Sequence, residues 1–157
     1  MGGECTKKKE CDGKIKKVKK GCSKGCICCI SEVSCVGGVK VGHQCLKFSQ
    51  DELSWEEAKS SCSSDGGVLA SIIDAEAVKT YADKTYGKQY FYFGGSDAAK
   101  EGTWKWLNGY PISTTQFPWI SGEPNNAGNE DCLVVKGGDG YNDVPCHLKF
   151  RYVCDLG

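Results

Sequence analysis

Nine consecutive residues hold a dense set of oxygen donors: Glu123-Pro124-Asn125-Asn126-Ala127-Gly128-Asn129-Glu130-Asp131. Three carboxylates and three amides fall in this stretch, and Asn142-Asp143 add one of each further along. Mixed carboxylate and amide oxygens suit a hard cation, and calcium takes about six to eight of them at roughly 2.3–2.6 Å. Three acids against a double positive charge leave such a site mildly anionic. An acidic loop alone is ordinarily a solvated face, so this pattern gains weight only from its surroundings.

Other chemistries find little support. His43 and His147 are not spaced as a metal pair and read as structural or surface side chains. The chain offers no activated serine or cysteine, no phosphate loop and no carboxylate pair set for hydrolysis, so it does not read as an enzyme. Trp104, Trp106 and Trp119 read as core beneath the loop.

The elements that must position these donors can be read outward from composition. At 157 residues, with 39% hydrophobic and 25% charged, the chain suits one ordinary domain with a small appendage. No apolar run approaches the 18 or so residues of a membrane span. The N-terminus lacks the regions of a signal peptide, so a secreted protein would have this chain as its processed form, with Met1 added. Twelve cysteines, an even number at high density, point to an oxidising compartment and a secreted, extracellular protein. A cytosolic metal-binding protein is the alternative, but the last hundred residues show no repeated paired cysteine spacing.

Charge divides the chain. Residues 1–34 carry nine lysines against four acids, and residues 35–157 carry eleven basic residues against sixteen acids. The two segments are therefore expected to be a basic cysteine-rich module (1–34) and a main domain (35–157). The acidic body suits a cation better than nucleic acid. Cys5, Cys11, Cys22, Cys26, Cys28 and Cys29 sit among lysines with almost no apolar residues, so cross-links must hold that module. Six cysteines allow fifteen pairings, and the Cys22–Cys29 cluster also suits a soft metal. The lysines of residues 7–24 are either solvated or attract anionic surfaces.

From Cys35 onward the pattern is α+β. A strand is expected near His43–Ser49. Ser54 with Glu57 forms a capping box, opening a helix that buries Trp55, Ala58 and Cys62 and ends at Gly66-Gly67. A second helix starts at Asp74, turns Val78, Tyr81 and Ala82 inward and closes at Gly87. An aromatic strand Tyr90–Phe93 ends in Gly94-Gly95, and Trp104 and Trp106 mark another short strand. Residues 107–131 show no periodicity, and a long irregular loop in a compact domain is usually functional. Strands at Cys132–Lys136 and Lys149–Cys154, separated by a glycine-rich turn, complete the pattern.

Cys35–Gly157 resembles a C-type lectin domain over its whole length. The matching features are Trp55-Glu56-Glu57-Ala58 before Cys62 and then Gly67-Val68-Leu69-Ala70-Ser71-Ile72. Trp119 ahead of Glu123-Pro124-Asn125, and Glu130-Asp131-Cys132, follow in order. Asn142-Asp143 before Cys146, and Tyr152-Val153-Cys154, complete the set. The resemblance implies a double-loop fold with two helices and short antiparallel sheets. It also implies bridges Cys62–Cys154 and Cys132–Cys146, with Cys35–Cys45 as the extra bridge of the family's long form. Six cysteines then remain for the N-terminal module.

The resemblance further implies a cis Glu123–Pro124 bond and a primary calcium held by Glu123, Asn125, Glu130, Asn142 and Asp143, which also contact the sugar. Two neighbouring sugar hydroxyls would share the ion, with Glu123 and Glu130 accepting hydrogen bonds and Asn125 and Asn142 donating them. Glu-Pro-Asn, as opposed to Gln-Pro-Asp, resembles members that choose equatorial 3- and 4-hydroxyls, as in mannose, N-acetylglucosamine and glucose, with fucose presenting an equivalent pair. An auxiliary calcium is implied at Asp97, Glu101, Asn126 and Asp131, bridged by Glu130, although Asp97 and Glu101 also suit plain surface acids. Three departures stand out: Tyr141 where the family usually has Trp, a loose aromatic strand at Phe91–Gly95, and a small Ala127 beside the sugar.

The sequence therefore reads as a calcium-dependent, non-enzymatic lectin for mannose-type glycans on cell or microbial surfaces. A lectin-like module that binds a protein partner without sugar is the alternative. A site of two hydroxyls is shallow, so avidity calls for several sites and a homo-oligomer, though no heptad or collagen repeat supports one.

Overall fold

The computed structural model describes residues 35–157 and, before them, two short strands, β1 (Cys5–Thr6) and β2 (Ile27–Cys28), which pair antiparallel. The chain divides into the units Met1–Ser34 and Cys35–Gly157. The cross-links, metal cluster and basic surface expected of the first unit lie outside the described residues.

In the second unit the order is β3 (Val39–Val41), β4 (Gln44–Phe48), α1 (Trp55–Ser64), β5 (Val68–Leu69), α2 (Ala75–Tyr86), β6 (Tyr90–Ser96), β7 (Lys105–Trp106), β8 (Cys132–Lys136), β9 (Gly140–Val144) and β10 (Arg151–Asp155). Both helices start where their caps dictate. The Glu57 carboxylate accepts from the Ser54 N–H at 2.9 Å and from its hydroxyl at 2.7 Å, and Asp74 Oδ1 accepts from the Ala77 N–H at 3.0 Å. Each bond satisfies a donor at a helix start. Gly87, with φ of 63°, closes α2.

The sheet runs β3-β4-β10-β6-β8-β9, with β5 added to β10 and β7 to β6. One pairing corrects the expectation of antiparallel sheets: β10 and β6 run parallel, Arg151 facing Phe91 and Tyr152 facing Tyr92. The closing strand enters beside the central aromatic strand from a distant part of the chain, so no hairpin sets its direction. Three further strands were not expected. β3 and β5 are too short to show alternation, and β9 occupies what read as a glycine-rich turn.

Strand alternation divides the core in two. Phe91, Phe93, Leu133, Val135 and Val153 point to one face and pack with Val78 and Ala82 of α2. Tyr92, Val134 and Tyr152 point to the other and pack with Trp55, Ala58 and Cys62 of α1. Trp55 satisfies its buried indole N–H on the Phe93 carbonyl at 2.8 Å. β6 also runs on through Gly94 and Gly95, where a stop was expected. A Cβ on Gly95 would stand 2.8 Å from Ile112 and 2.9 Å from Leu133, so the absence of a side chain lets the long loop close onto the sheet.

Three disulfides tie these layers. Cys62–Cys154 joins α1 to β10, Cys132–Cys146 closes the chain around β8 and β9, and Cys35–Cys45 joins the entry segment to β4. Among the described residues no helix is long and apolar enough to cross a membrane.

Candidate functional site

The irregular segment between β7 and β8 is built onto β9. Trp119 bridges Tyr141 in parallel, and the Ile120 N–H donates to the Tyr141 carbonyl at 2.8 Å. The Glu123 N–H then donates to the Ile120 carbonyl at 2.9 Å, turning the chain at Gly122, where φ is 93°. An aromatic floor supports this approach: Trp119 packs edge-on to Trp104 and Phe117, and Phe117 packs on Tyr141. The segment so laid down places Glu123 beside Asp143, which β9 carries opposite Leu133 of β8.

The Glu123–Pro124 bond is cis. Beyond it the loop is closed by its own hydrogen bonds. The Asn126 main-chain N–H donates to Asp143 Oδ2 at 2.8 Å, and the Glu130 N–H donates to Asn126 Oδ1 at 2.7 Å. The Ala127 N–H serves Asn125 Oδ1 at 2.7 Å and Glu130 Oε2 at 3.0 Å, so one donor draws both side chains together. Glu123, Asn125, Glu130 and Asp143 are thus gathered around one end of the loop. Asn142, which precedes Asp143 on β9, buries its Oδ1 without a hydrogen-bond partner.

The auxiliary set lies on the flank. The Asp97 N–H donates to the Asp131 carbonyl at 3.2 Å, Asp97 Oδ2 accepts from the Gly102 N–H at 2.9 Å, and Asn126 Nδ2 donates to Glu101 Oε2 at 2.6 Å. Asp97 is 2% exposed, which rules out the reading of this residue as a plain surface acid. Asp131 Oδ2 is engaged by Asn129 Nδ2 at 2.8 Å.

The electrostatics are those of crowded anions. Burial, then the Asp143 and Glu130 carboxyls, push the Glu123 pKa above the ordinary carboxylate range. Glu130 is raised by burial and by Asp143, against the Ala127 N–H, and Asp97 by burial, Glu101 and Asp131, against the Gly102 N–H. Asp97 Oδ1, Glu123 Oε2, Asn142 Oδ1 and Asp143 Oδ1 are buried without partners. Orphaned buried oxygens are costly unless something electropositive meets them. Three of the four belong to the primary set, and their chemistry fits a hard, oxygen-seeking cation. Among the described residues no group of three or more His, Cys, Asp or Glu forms a metal-holding cluster.

Two contributors escaped the sequence reading. Asn129 holds a left-handed φ of 69° and fastens Asp131, and asparagine's tolerance of that region was the available signal. The Ala127 main-chain N–H draws Asn125 to Glu130, and no side-chain pattern could announce it.

The site is thus an oxygen-lined loop on an α+β domain tied by disulfides. The model of the Lectin C-type domain matches residues 51–156, more than half of the chain, which therefore belongs to the C-type lectin family. That family is one of non-enzymatic carbohydrate-binding domains. The human C-type lectin domain family 17, member A is 34% identical over 113 residues, 71% of this chain and 29% of that protein. The chain thus spans under a third of that relative's length. The mouse scavenger receptor C-type lectin carbohydrate-recognition domain superposes with a TM-score of 0.68 at 27% identity, covering 76% of this chain and 93% of that one. A herring type II antifreeze protein also shares the fold, with a TM-score of 0.60 at 26% identity, covering 71% of this chain and 89% of that one.

Proposed function

We propose that this protein is a secreted, calcium-dependent lectin that binds mannose-type glycans through Glu123, Asn125, Glu130, Asn142 and Asp143. The observation that carries the reading is the trio of buried, partnerless oxygens on Glu123, Asn142 and Asp143, on two segments held together by the Asn126–Asp143 bond. Calcium, when bound, supplies a point of positive charge that two neighbouring sugar hydroxyls can share with the protein. Glu123 and Glu130 accept hydrogen bonds from those hydroxyls, while Asn125 and Asn142 donate through their amides. Alternating acceptors and donors around a diol selects its orientation, and the Glu-Pro-Asn order favours equatorial 3- and 4-hydroxyls. Asp97, Glu101, Asn126, Glu130 and Asp131 would hold the auxiliary ion, stiffening the loop without touching sugar.

Mannose, N-acetylglucosamine and fucose on cell or microbial surfaces are the ligands that fit, and secretion suits a chain with three disulfides in its main domain. A mannose-agarose column run with calcium and then with chelator tests the reading. Retention lost in chelator supports it. Retention that persists in chelator, or failure to bind in calcium, overturns it and favours a module for a protein partner.

A further inference from the structure

Asn126 meets four partners on three segments of the chain. Its main-chain N–H donates to Asp143 Oδ2 at 2.8 Å, and its carbonyl accepts from the Asn129 N–H at 3.3 Å. Its side-chain oxygen accepts from the Glu130 N–H at 2.7 Å, and its Nδ2 donates to Glu101 Oε2 at 2.6 Å. The amide's orientation follows from these partners, because an N–H can meet only the oxygen and a carboxylate only the NH2. All this is reached with φ of 52°, a region that asparagine adopts more readily than most side chains.

We propose that Asn126 is the positioning residue of the site, a latch that sets Glu130 and Asp143 in place before any ion binds. Its consequence for affinity rests on the calcium reading above, but the latch is a property of the metal-free protein. Its partners Glu101, Glu130 and Asp143 carry three carboxylates, with Glu123 beside the last two, and without a tie their repulsion would spread the loop. Glu101 is held by a donor in place of repelling its neighbours, Asp143 by a main-chain N–H, and Glu130 through its own backbone. A loop ordered in advance loses less conformational entropy on binding, so the latch raises calcium affinity without touching sugar. This role is separate from the auxiliary ligand role that the resemblance implies.

Two variants separate the parts. Asn126→Gly keeps the positive φ and the main-chain N–H but removes both side-chain bonds. Asn126→Asp keeps an acceptor for the Glu130 N–H and loses the donor to Glu101. Amide hydrogen exchange of both variants and the parent protein is measured in chelator, with the amides of α1 and β8 as the internal check that the fold is intact. The Glu130 amide should exchange about tenfold faster in Asn126→Gly, as expected for one lost hydrogen bond, and less than tenfold faster in Asn126→Asp, which keeps the acceptor but turns a carboxylate toward Glu101. Calcium titration of the parent protein reads the function proposed above, whereas the exchange comparison in chelator reads the latch without any ion. Glu130 exchange unaltered in Asn126→Gly overturns the latch. A parent protein that binds no calcium overturns the function proposed above, while the exchange comparison still decides the latch.

Discussion

The Tyr141 hydroxyl donates a 2.7 Å hydrogen bond to the Ala75 carbonyl, joining β9 to the first turn of α2. Tyr141 is fully buried against Phe117 and Phe93 and immediately precedes Asn142-Asp143. Burial pushes its pKa well above the ordinary tyrosine value, so it remains a donor at any working pH. A departure from the family's usual tryptophan has become an anchor for the strand that carries two of the candidate ligands.

Tyr141→Phe removes only the hydroxyl and keeps the ring packing. Stability of the metal-free domain should fall by about 1 kcal/mol, the weight of one buried hydrogen bond. Urea unfolding in chelator measures it, and an unmoved midpoint would show that the ring alone anchors β9.

Selectivity should follow the amide and acid on either side of Pro124. Glu123→Gln combined with Asn125→Asp keeps one carboxylate and one amide, so calcium is retained while the donor and acceptor places exchange. Mannose should weaken relative to galactose by about tenfold, the scale set by one misplaced hydrogen bond. Competition of the two sugars for an immobilised glycan reads this out, and an unaltered ratio would show that these two side chains do not select.

Calcium should stabilise the domain as well as the complex. At about a hundred times its dissociation constant the ion adds about 2.7 kcal/mol. A thermal midpoint that rises with calcium and returns in chelator is the expected result. A midpoint indifferent to calcium would leave the buried oxygens of Glu123, Asn142 and Asp143 without their counterion.

Asp83 should make stability depend on acid. Its Oδ1 accepts from the Gly138 N–H at 2.7 Å, and its Oδ2 pairs with Lys79. Burial pushes its pKa up, but that N–H and Lys79 together outweigh it and hold the carboxyl below its ordinary value. A lowered folded pKa gives stability that is present above the unfolded value, about 3.9, and lost as pH falls through the folded one. Asp83→Asn should therefore cost about 1 kcal/mol at neutral pH and progressively less in acid below the ordinary carboxylate range. Unfolding midpoints of both proteins across that window check the sign, and a deficit that grows in acid would reverse it.

Much of the scaffold was legible from short stretches of sequence. The Ser54–Glu57 box and Asp74 mark both helix starts, and the apolar run Cys132–Val135 marks β8, because a few neighbouring residues hold all of that information. β9 was not legible. Gly140, Asn142 and Asp143 disfavour strands, and only pairing with β8 on one side and contact with Trp119 on the other makes Gly140–Val144 extended. β3 and β5, three and two residues long, likewise exist only through their partners.

The donor chemistry of the loop was written in the chain itself, since carboxylates and amides keep their character wherever they are placed. Which of their oxygens would be left buried and unmet was not. That depends on the 17-residue reach from Asn126 to Asp143 and on the parallel entry of β10, relations between distant segments that no local pattern contains. Side-chain identity is local, whereas satisfaction of a buried polar atom is a property of everything packed around it. The sequence therefore determined what the site can bind with, and the tertiary structure decided which atoms remain free to do it.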